Sequence, residues 1–146
     1  MDKIRIGIVG YGNLGRGVQY ASAQNPDTEV VAVFTRRAPE TVKTVLPVKV
    51  EKYEDMKNYV GKIDVMILCG GSATDLPAQS AEVAKLFNTV DSFDTHAKIP
   101  EYFAALDKSA KDAGHLSAMS IGWDPGLFSL ARIYFGSSLA DGSTYT

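Results

Sequence analysis

Cysteine is nearly absent from this sequence. Cys69 stands alone, so no intrachain disulfide can form and no cysteine cluster can hold a metal. Histidine is almost as scarce, with only His96 and His115. Neither falls in a Ser-His-Asp or Cys-His arrangement, which disfavours hydrolysis through a covalent enzyme intermediate. Positive charge is not in excess: 15 Lys and Arg against 17 Asp and Glu leave a net charge of -2, and no nucleic-acid partner is expected. Long hydrophobic runs are missing too. No apolar stretch approaches the roughly 20 residues that span a bilayer, and strand-like sequence starts almost at Met1, leaving no room for a signal peptide. No membrane partner and a soluble, cytoplasmic location are therefore expected. There is no internal repeat. What is present, 146 residues with 45% apolar content, is enough for one ordinary core.

The most informative segment is Gly10-Tyr11-Gly12-Asn13-Leu14-Gly15, which follows the apolar run Ile4 to Val9 and precedes a helical pattern. A strand, a glycine turn and a helix in that order let backbone approach a pyrophosphate and aim helix N-terminal amides at it. The next strand, Val30 to Phe34, ends where an NAD-preferring fold usually places an acidic residue for the ribose hydroxyl. Here Thr35-Arg36-Arg37 stands instead. Two guanidinium forks and a hydroxyl suit a 2'-phosphate, which points to NADP(H).

Alternation of strand and helix continues along the chain. The first helix is predicted over Asn13 to Gln24, with Leu14, Val18 and Ala21 as the stripe facing the sheet. Residues 38–47 read as loop, Pro47 to Val50 as a short strand and Tyr53 to Tyr59 as a brief helix. Ile63 to Cys69 is apolar enough for a strand buried on both faces. A small-residue loop, Gly70 to Asp75, leads into a helix ending near Phe87, and Thr89 to Phe93 forms the next strand. Pro100 opens a helix with Phe103, Leu106 and Ala110 on one stripe, stopped by Gly114. His115, just beyond, reads as a surface residue, and His115 to Ile121 as a last strand. The pattern predicts a doubly wound parallel α/β sheet, a Rossmann-type NADP-binding domain.

Ligands of such sheets bind beyond the carboxyl ends of the strands. Those ends are Gly10 to Gly15, Thr35 to Arg37, Cys69 to Asp75, Asp94, and Trp123-Asp124. Two glycine turns, paired arginines, two carboxylates and an indole fit oxidation of an amine or alcohol by a nicotinamide cofactor.

Gly10 to Arg16, Thr35 to Arg37, Cys69-Gly70-Gly71-Ser72-Ala73-Thr74-Asp75, Thr89 to His96 and Gly122-Trp123-Asp124-Pro125-Gly126 together resemble the meso-diaminopimelate dehydrogenase family. The resemblance spans essentially the whole chain. It implies NADP-dependent oxidative deamination of meso-2,6-diaminopimelate at its D-centre to L-2-amino-6-oxopimelate, which cyclises to tetrahydrodipicolinate, with release of ammonia. It also implies a place in lysine metabolism and a homodimer at full length. Carried over by position, Gly10, Tyr11, Gly12, Asn13, Leu14 and Gly15 hold pyrophosphate, and Thr35, Arg36 and Arg37 the 2'-phosphate. Ser72, Ala73 and Thr74 lie along the nicotinamide ribose, with Cys69 and Gly71 also counted as cofactor contacts. Asp94 and Asp124 become the catalytic carboxylates at the substrate's amino group, and Trp123 a substrate-pocket wall. No metal is implied. Family members are more than twice this length. Residues 1–126 are therefore expected to be a dinucleotide-binding domain, and 127–146 a helix and the start of a connection to an absent substrate and dimerisation domain. An inactive fragment is the corresponding expectation.

Plainer structural readings stand beside these. Arg36 and Arg37 also fit solvated loop charges, Ser72 and Thr74 helix caps, Asp94 and Asp124 turn formers, Trp123 and His96 packing. Asp91 suits either a site or a bond to a neighbouring amide. A stand-alone NADP(H) sensor and the nucleotide half of another two-domain reductase are the competing functions. The helix from Leu127 to Phe135 is apolar around most of its circumference and wants cover on more than one side.

Overall fold

The computed structural model describes residues 2–139. Its elements are β1 (Ile4–Val9), α1 (Asn13–Gln24), β2 (Thr28–Thr35), β3 (Lys49–Lys52), β4 (Val65–Leu68), α2 (Leu76–Ala84), β5 (Asn88–Asp91), α3 (Ile99–Ala113), β6 (Ser117–Ala118) and α4 (Leu127–Ser137). Short 3-10 turns cover Pro39–Thr41, Tyr53–Tyr59 and His96–Lys98. Among the described residues the strands form one sheet in the order β3-β2-β1-β4-β5-β6, every neighbouring pair parallel. The predicted doubly wound sheet is what the chain adopts. Its strand order reverses at β1, which pairs with both β2 and β4, so a crevice opens beyond Val9 and Leu68. No described helix is long and apolar enough to cross a membrane.

Pleating divides the apolar side chains between two faces, because successive strand residues point to opposite sides. Ile6, Ile8 and Val33 join Tyr11 on the α1 side. Val9, Phe34, Met66 and Leu68 pack with Leu76, Val83, Phe93 and Leu106 on the α2–α3 side. Burial on both faces is why these strands read as near-continuous apolar runs.

Two helix stripes differ from their predicted form. In α1 the buried residues are Gly15, Gln19 and Ser22, while Leu14 and Ala21 face outward. The helix sits too close to β1 for a large side chain: a Cβ on Gly15 would lie 2.4 Å from the Gly10 carbonyl oxygen. Gln19 fills the space farther along, accepting a bond from the Tyr11 hydroxyl and donating to the Leu46 carbonyl at 3.0 Å. In α3 the inward stripe is Tyr102, Leu106 and Ala110, and Phe103 is 55% exposed.

Tyr102 faces inward because of a carboxylate. The Tyr102 hydroxyl donates to Asp91 Oδ2 at 2.5 Å, with the Ser80 hydroxyl within hydrogen-bond reach, and its ring stacks on Phe93 with centroids 3.9 Å apart. Burial, and then the adjacent Asp91, push the phenol's pKa up. Asp91 Oδ1 accepts from the Phe93 and Ser120 amides at 3.0 and 3.2 Å. These bonds satisfy a carboxylate that is only 2% exposed. They also explain why the last strand is shorter than the predicted His115 to Ile121. Ser120 adopts φ 57°, which turns its amide to Asp91 and breaks the ladder. His115 is half-buried rather than a surface residue, its Nδ1 donating to the Ala84 carbonyl at the end of α2 at 2.8 Å.

Tyr102→Phe removes one of three donors from a buried carboxylate. It is expected to cost about 2 to 3 kcal/mol of unfolding free energy, read by urea denaturation. At the opposite end of the sheet Arg5 makes a fork to Asp64, with Nη2 to Oδ1 at 2.6 Å and Nε to Oδ2 at 3.0 Å, and its backbone amide donates to Oδ2 at 2.8 Å. The Arg5 guanidinium and amide lower the Asp64 pKa from 3.8 to about 2. A carboxyl depressed on folding contributes stability that is fully present above 3.8 and is lost as pH falls through about 2. The stability gap between wild type and Asp64→Asn is therefore expected to hold steady above that range and to close on acidification, followed by denaturation at each pH.

Candidate functional site

The β1–α1 turn is shaped by glycine at each step. Gly10 takes φ +87°, which a side chain resists, and its amide bonds Phe34 O at 2.9 Å, carrying the sheet past the end of β1. Gly12 begins α1 without any side-chain cap. The first amides of a helix have no intrahelical partner, so those from Asn13 onward point outward as donors. A Cβ at Gly12 would meet nothing within 4 Å. An open space beside uncapped helix amides and their positive dipole end is a cradle for an anion such as a pyrophosphate.

Beside this turn lies an open cleft of about 680 Å³, walled by Gly10 to Gly12, Thr35 to Arg37, Cys69, Gly70 and Asp75. The structure thus brings three separate strand ends to one crevice. Thr35 is buried, and its hydroxyl accepts from the Arg37 amide at 3.1 Å, so it turns the chain under the arginines. Arg37 Nη2 donates to Tyr11 O at 2.9 Å, and Arg36 Nη2 pairs with Asp75 Oδ1. The Tyr11 ring is core: its hydroxyl bonds Gln19 and accepts from the Val45 amide at 2.9 Å, leaving only its backbone toward the turn. Leu14 is 44% exposed next to the cradle. Burial pushes the Cys69 thiol pKa up to about 12, which keeps it protonated and poorly nucleophilic.

The loop after β4 winds around one carbonyl. Gly71 O accepts from the amides of Thr74, Asp75 and Leu76 at 3.3, 2.8 and 3.1 Å. Asp75 Oδ2 accepts from the Gly71 amide at 3.0 Å. That bond first, and Arg36 with it, holds the Asp75 carboxyl below its usual pKa. Ser72 Oγ accepts from the Asp94 amide at 3.1 Å. Ser72 and the exposed Asp94 are therefore neighbours, joining the loops that follow β4 and β5.

Asp124 reaches the same end of the sheet from beyond β6. Its Oδ1 accepts from Ser129 Oγ at 2.7 Å and lies 3.4 Å from His96 Nε2, and its Oδ2 is 4.0 Å from Arg132 Nη1. The Ser129 hydroxyl above all, with His96 and Arg132, holds the Asp124 carboxyl below the usual range. Asp124 is accordingly an anion near neutral pH. Trp123 is 66% exposed, stacked on Phe128 at 6.0 Å, so it is not core. α4 has no buried residue among those described. Sequence reasoning missed the pairing of Arg36 with Asp75, the Ser129 bond and the His96–Asp124 contact. No side-chain cap begins α2, so Ser72 and Thr74 are not the helix caps they also fitted.

A sequence model of the oxidoreductase family with the NAD-binding Rossmann fold matches residues 4–90. The chain belongs to this family. Its dinucleotide-binding part is what the sheet and the glycine cradle form. Across all 146 residues the chain is 59% identical to a meso-diaminopimelate D-dehydrogenase of Lysinibacillus sphaericus, covering 100% of this chain and 45% of that protein. Among solved structures, a multiply substituted meso-diaminopimelate dehydrogenase from Clostridium tetani E88, solved with DAP, is 52% identical with a TM-score of 0.83 over 98% of this chain and 44% of that one. An engineered D-amino acid dehydrogenase bound to NADP+ is 42% identical, also with a TM-score of 0.83, over 95% of this chain and 42% of that one. The chain spans less than half the length of these relatives.

The two helix-turn glycines should separate in a stability measurement. Gly15→Ala drives a methyl to within 2.4 Å of a backbone oxygen and is expected to cost about 2 to 3 kcal/mol. Gly12→Ala meets open space and is expected to stay within about 1 kcal/mol of wild type, both read from urea midpoints.

Proposed function

We propose that this chain is the NADP(H)-binding part of a meso-diaminopimelate dehydrogenase. The single observation that carries the reading is the crevice itself, where an uncapped helix end and two arginines line one cleft, with Asp94 and Asp124 on the loops that follow β5 and β6. The cradle at Gly10 to Gly15 fits a pyrophosphate through backbone donors. Arg36 and Arg37, the latter steadied by Thr35, fit a 2'-phosphate, each with donors to spare beyond its internal partner. Cys69, Gly71, Ser72, Ala73 and Thr74 border the nicotinamide side. When bound, NADP+ supplies the hydride acceptor.

The remaining work falls to the protein's own groups. Asp94 and Asp124 attract the substrate ammonium, and Asp124 can do so near neutral pH because its carboxyl is held ionised. A pair of carboxylates orients the reacting Cα–H and stabilises positive charge as hydride leaves. Trp123, exposed beside Asp124, forms an apolar wall against the substrate. A stand-alone sensor would have no use for such a pair. Residues 1–126 act in this reading as the nucleotide unit and 127–146 as the passage to a substrate and dimerisation domain, of which residues 140–146 lie outside those described. The uncovered apolar surface of α4 supports packing of that kind and homodimerisation at full length.

Calorimetry with NADP+ and NAD+ tests the cofactor. A preference for NADP+ of about 1 to 3 kcal/mol is expected, with its loss in the Arg36→Ala, Arg37→Ala double variant. Equal or better binding of NAD+ would sink it. For the reaction, a chimera in which this chain replaces the matching part of a meso-diaminopimelate dehydrogenase is expected to turn over meso-diaminopimelate. Asp94→Ala or Asp124→Ala should then cut kcat/KM on the order of a hundredfold.

A further inference from the structure

The pair between Arg36 and Asp75 crosses the cleft from the end of β2 to the loop after β4, and neither sheet pairing nor core packing requires it. Its two ends are held unequally. The Asp75 carboxylate is anchored independently by the Gly71 amide at 3.0 Å and its side chain is 22% exposed, whereas the Arg36 side chain is 61% exposed. The loop is built for this fold-back: a Cβ on Gly70 would fall 2.6 Å from Asp75 Cβ, and one on Gly71 would fall 2.9 Å from Thr74 Oγ1. Arg36 gives Asp75 one amino group and keeps its other donors. Arg37 is treated alike, giving Nη2 to Tyr11 O at 2.9 Å.

We propose that Asp75 is a positioning residue that holds the Arg36 guanidinium at the cleft mouth to receive a phosphate monoester on the adenosine ribose, and so sets the preference for the phosphorylated dinucleotide. This rests on the NADP(H) reading above. A carboxylate near a phosphate also repels it, but that repulsion acts across an open cleft where salt and water screen it. The gain is in orientation: a long, exposed arginine is already restrained before the ligand arrives, which lowers the entropy lost on binding. The same loop carries Ser72, which bonds the Asp94 amide at 3.1 Å. Restraint of Arg36 therefore ties the phosphate end of the cleft to the loop that borders the candidate substrate carboxylate.

Asp75→Asn separates this role from loop capping, because an amide oxygen still accepts from the Gly71 amide while the charge that pairs Arg36 is gone. The 146-residue chain is titrated with NADP+ and with NAD+ by NMR chemical shift, as wild type, Asp75→Asn, Arg36→Ala and the double variant. Asp75→Asn is expected to weaken NADP+ about fivefold, to leave NAD+ within about twofold, and to add nothing in the Arg36→Ala background. Unchanged or tighter NADP+ binding overturns the proposal, as does an equal loss for NAD+ or a loss that persists without Arg36. If Asp75→Asn does not fold, Asp75→Ser, another uncharged cap, carries the same expectation. A wild-type chain without preference between the dinucleotides overturns the cofactor reading and this inference together. A wild-type preference that is undiminished by the loss of Asp75's charge overturns this inference alone.

Discussion

One buried carboxylate sets the geometry where β5, β6 and α3 meet. Asp91, at the end of β5, collects donors from the loop toward Asp94, from the residue where β6 breaks and from α3. An unsatisfied charge at that depth would be prohibitive, so the three segments must meet there if the domain is to fold. Their meeting turns Tyr102 inward and Phe103 outward, bends the chain at Ser120 and fixes where residues 94–96 and 122–126 emerge. The His96–Asp124 approach at 3.4 Å then closes those two loops on each other. Core packing and site placement are one arrangement at this end of the sheet.

The nucleotide side works by a different economy of donors. Backbone makes the cradle at Gly10 to Gly15, where helix amides are left free because Gly12 offers no cap. Side chains make the neighbouring wall, and each arginine there gives one bond inward and keeps the rest for the cleft. The donors that face the cleft are thus groups that the fold already holds.

Much of the fold was legible in the residues. Apolar runs at β1, β2 and β4, glycine between strand and helix, and proline opening α3 each express a local rule, and α1 and α2 begin where those rules put them. Local periodicity failed where tertiary contact overrode it. Leu14 and Ala21 look like the inner stripe of α1, yet the close approach of Gly15 to Gly10 admits only small or hydrogen-bonded residues there. Phe103 is the more apolar neighbour, yet Tyr102 alone carries the hydroxyl that Asp91 needs. The strand expected to run through Ile121 stops at Ala118 because Ser120, at φ 57°, turns its amide to Asp91 and leaves the ladder.

For the candidate site, the sequence by itself determined which chemical groups stand at the strand ends. That follows from doubly wound topology, because every βα turn must open on the same edge of a parallel sheet. The tertiary structure alone decided which groups meet across that edge: Arg36 with Asp75, Ser72 with Asp94, His96 and Ser129 with Asp124. Those partners lie between 5 and 39 positions apart in the chain. Contacts at such separations are set by strand order and the packing between loops, for which neighbouring residues carry no periodic signal.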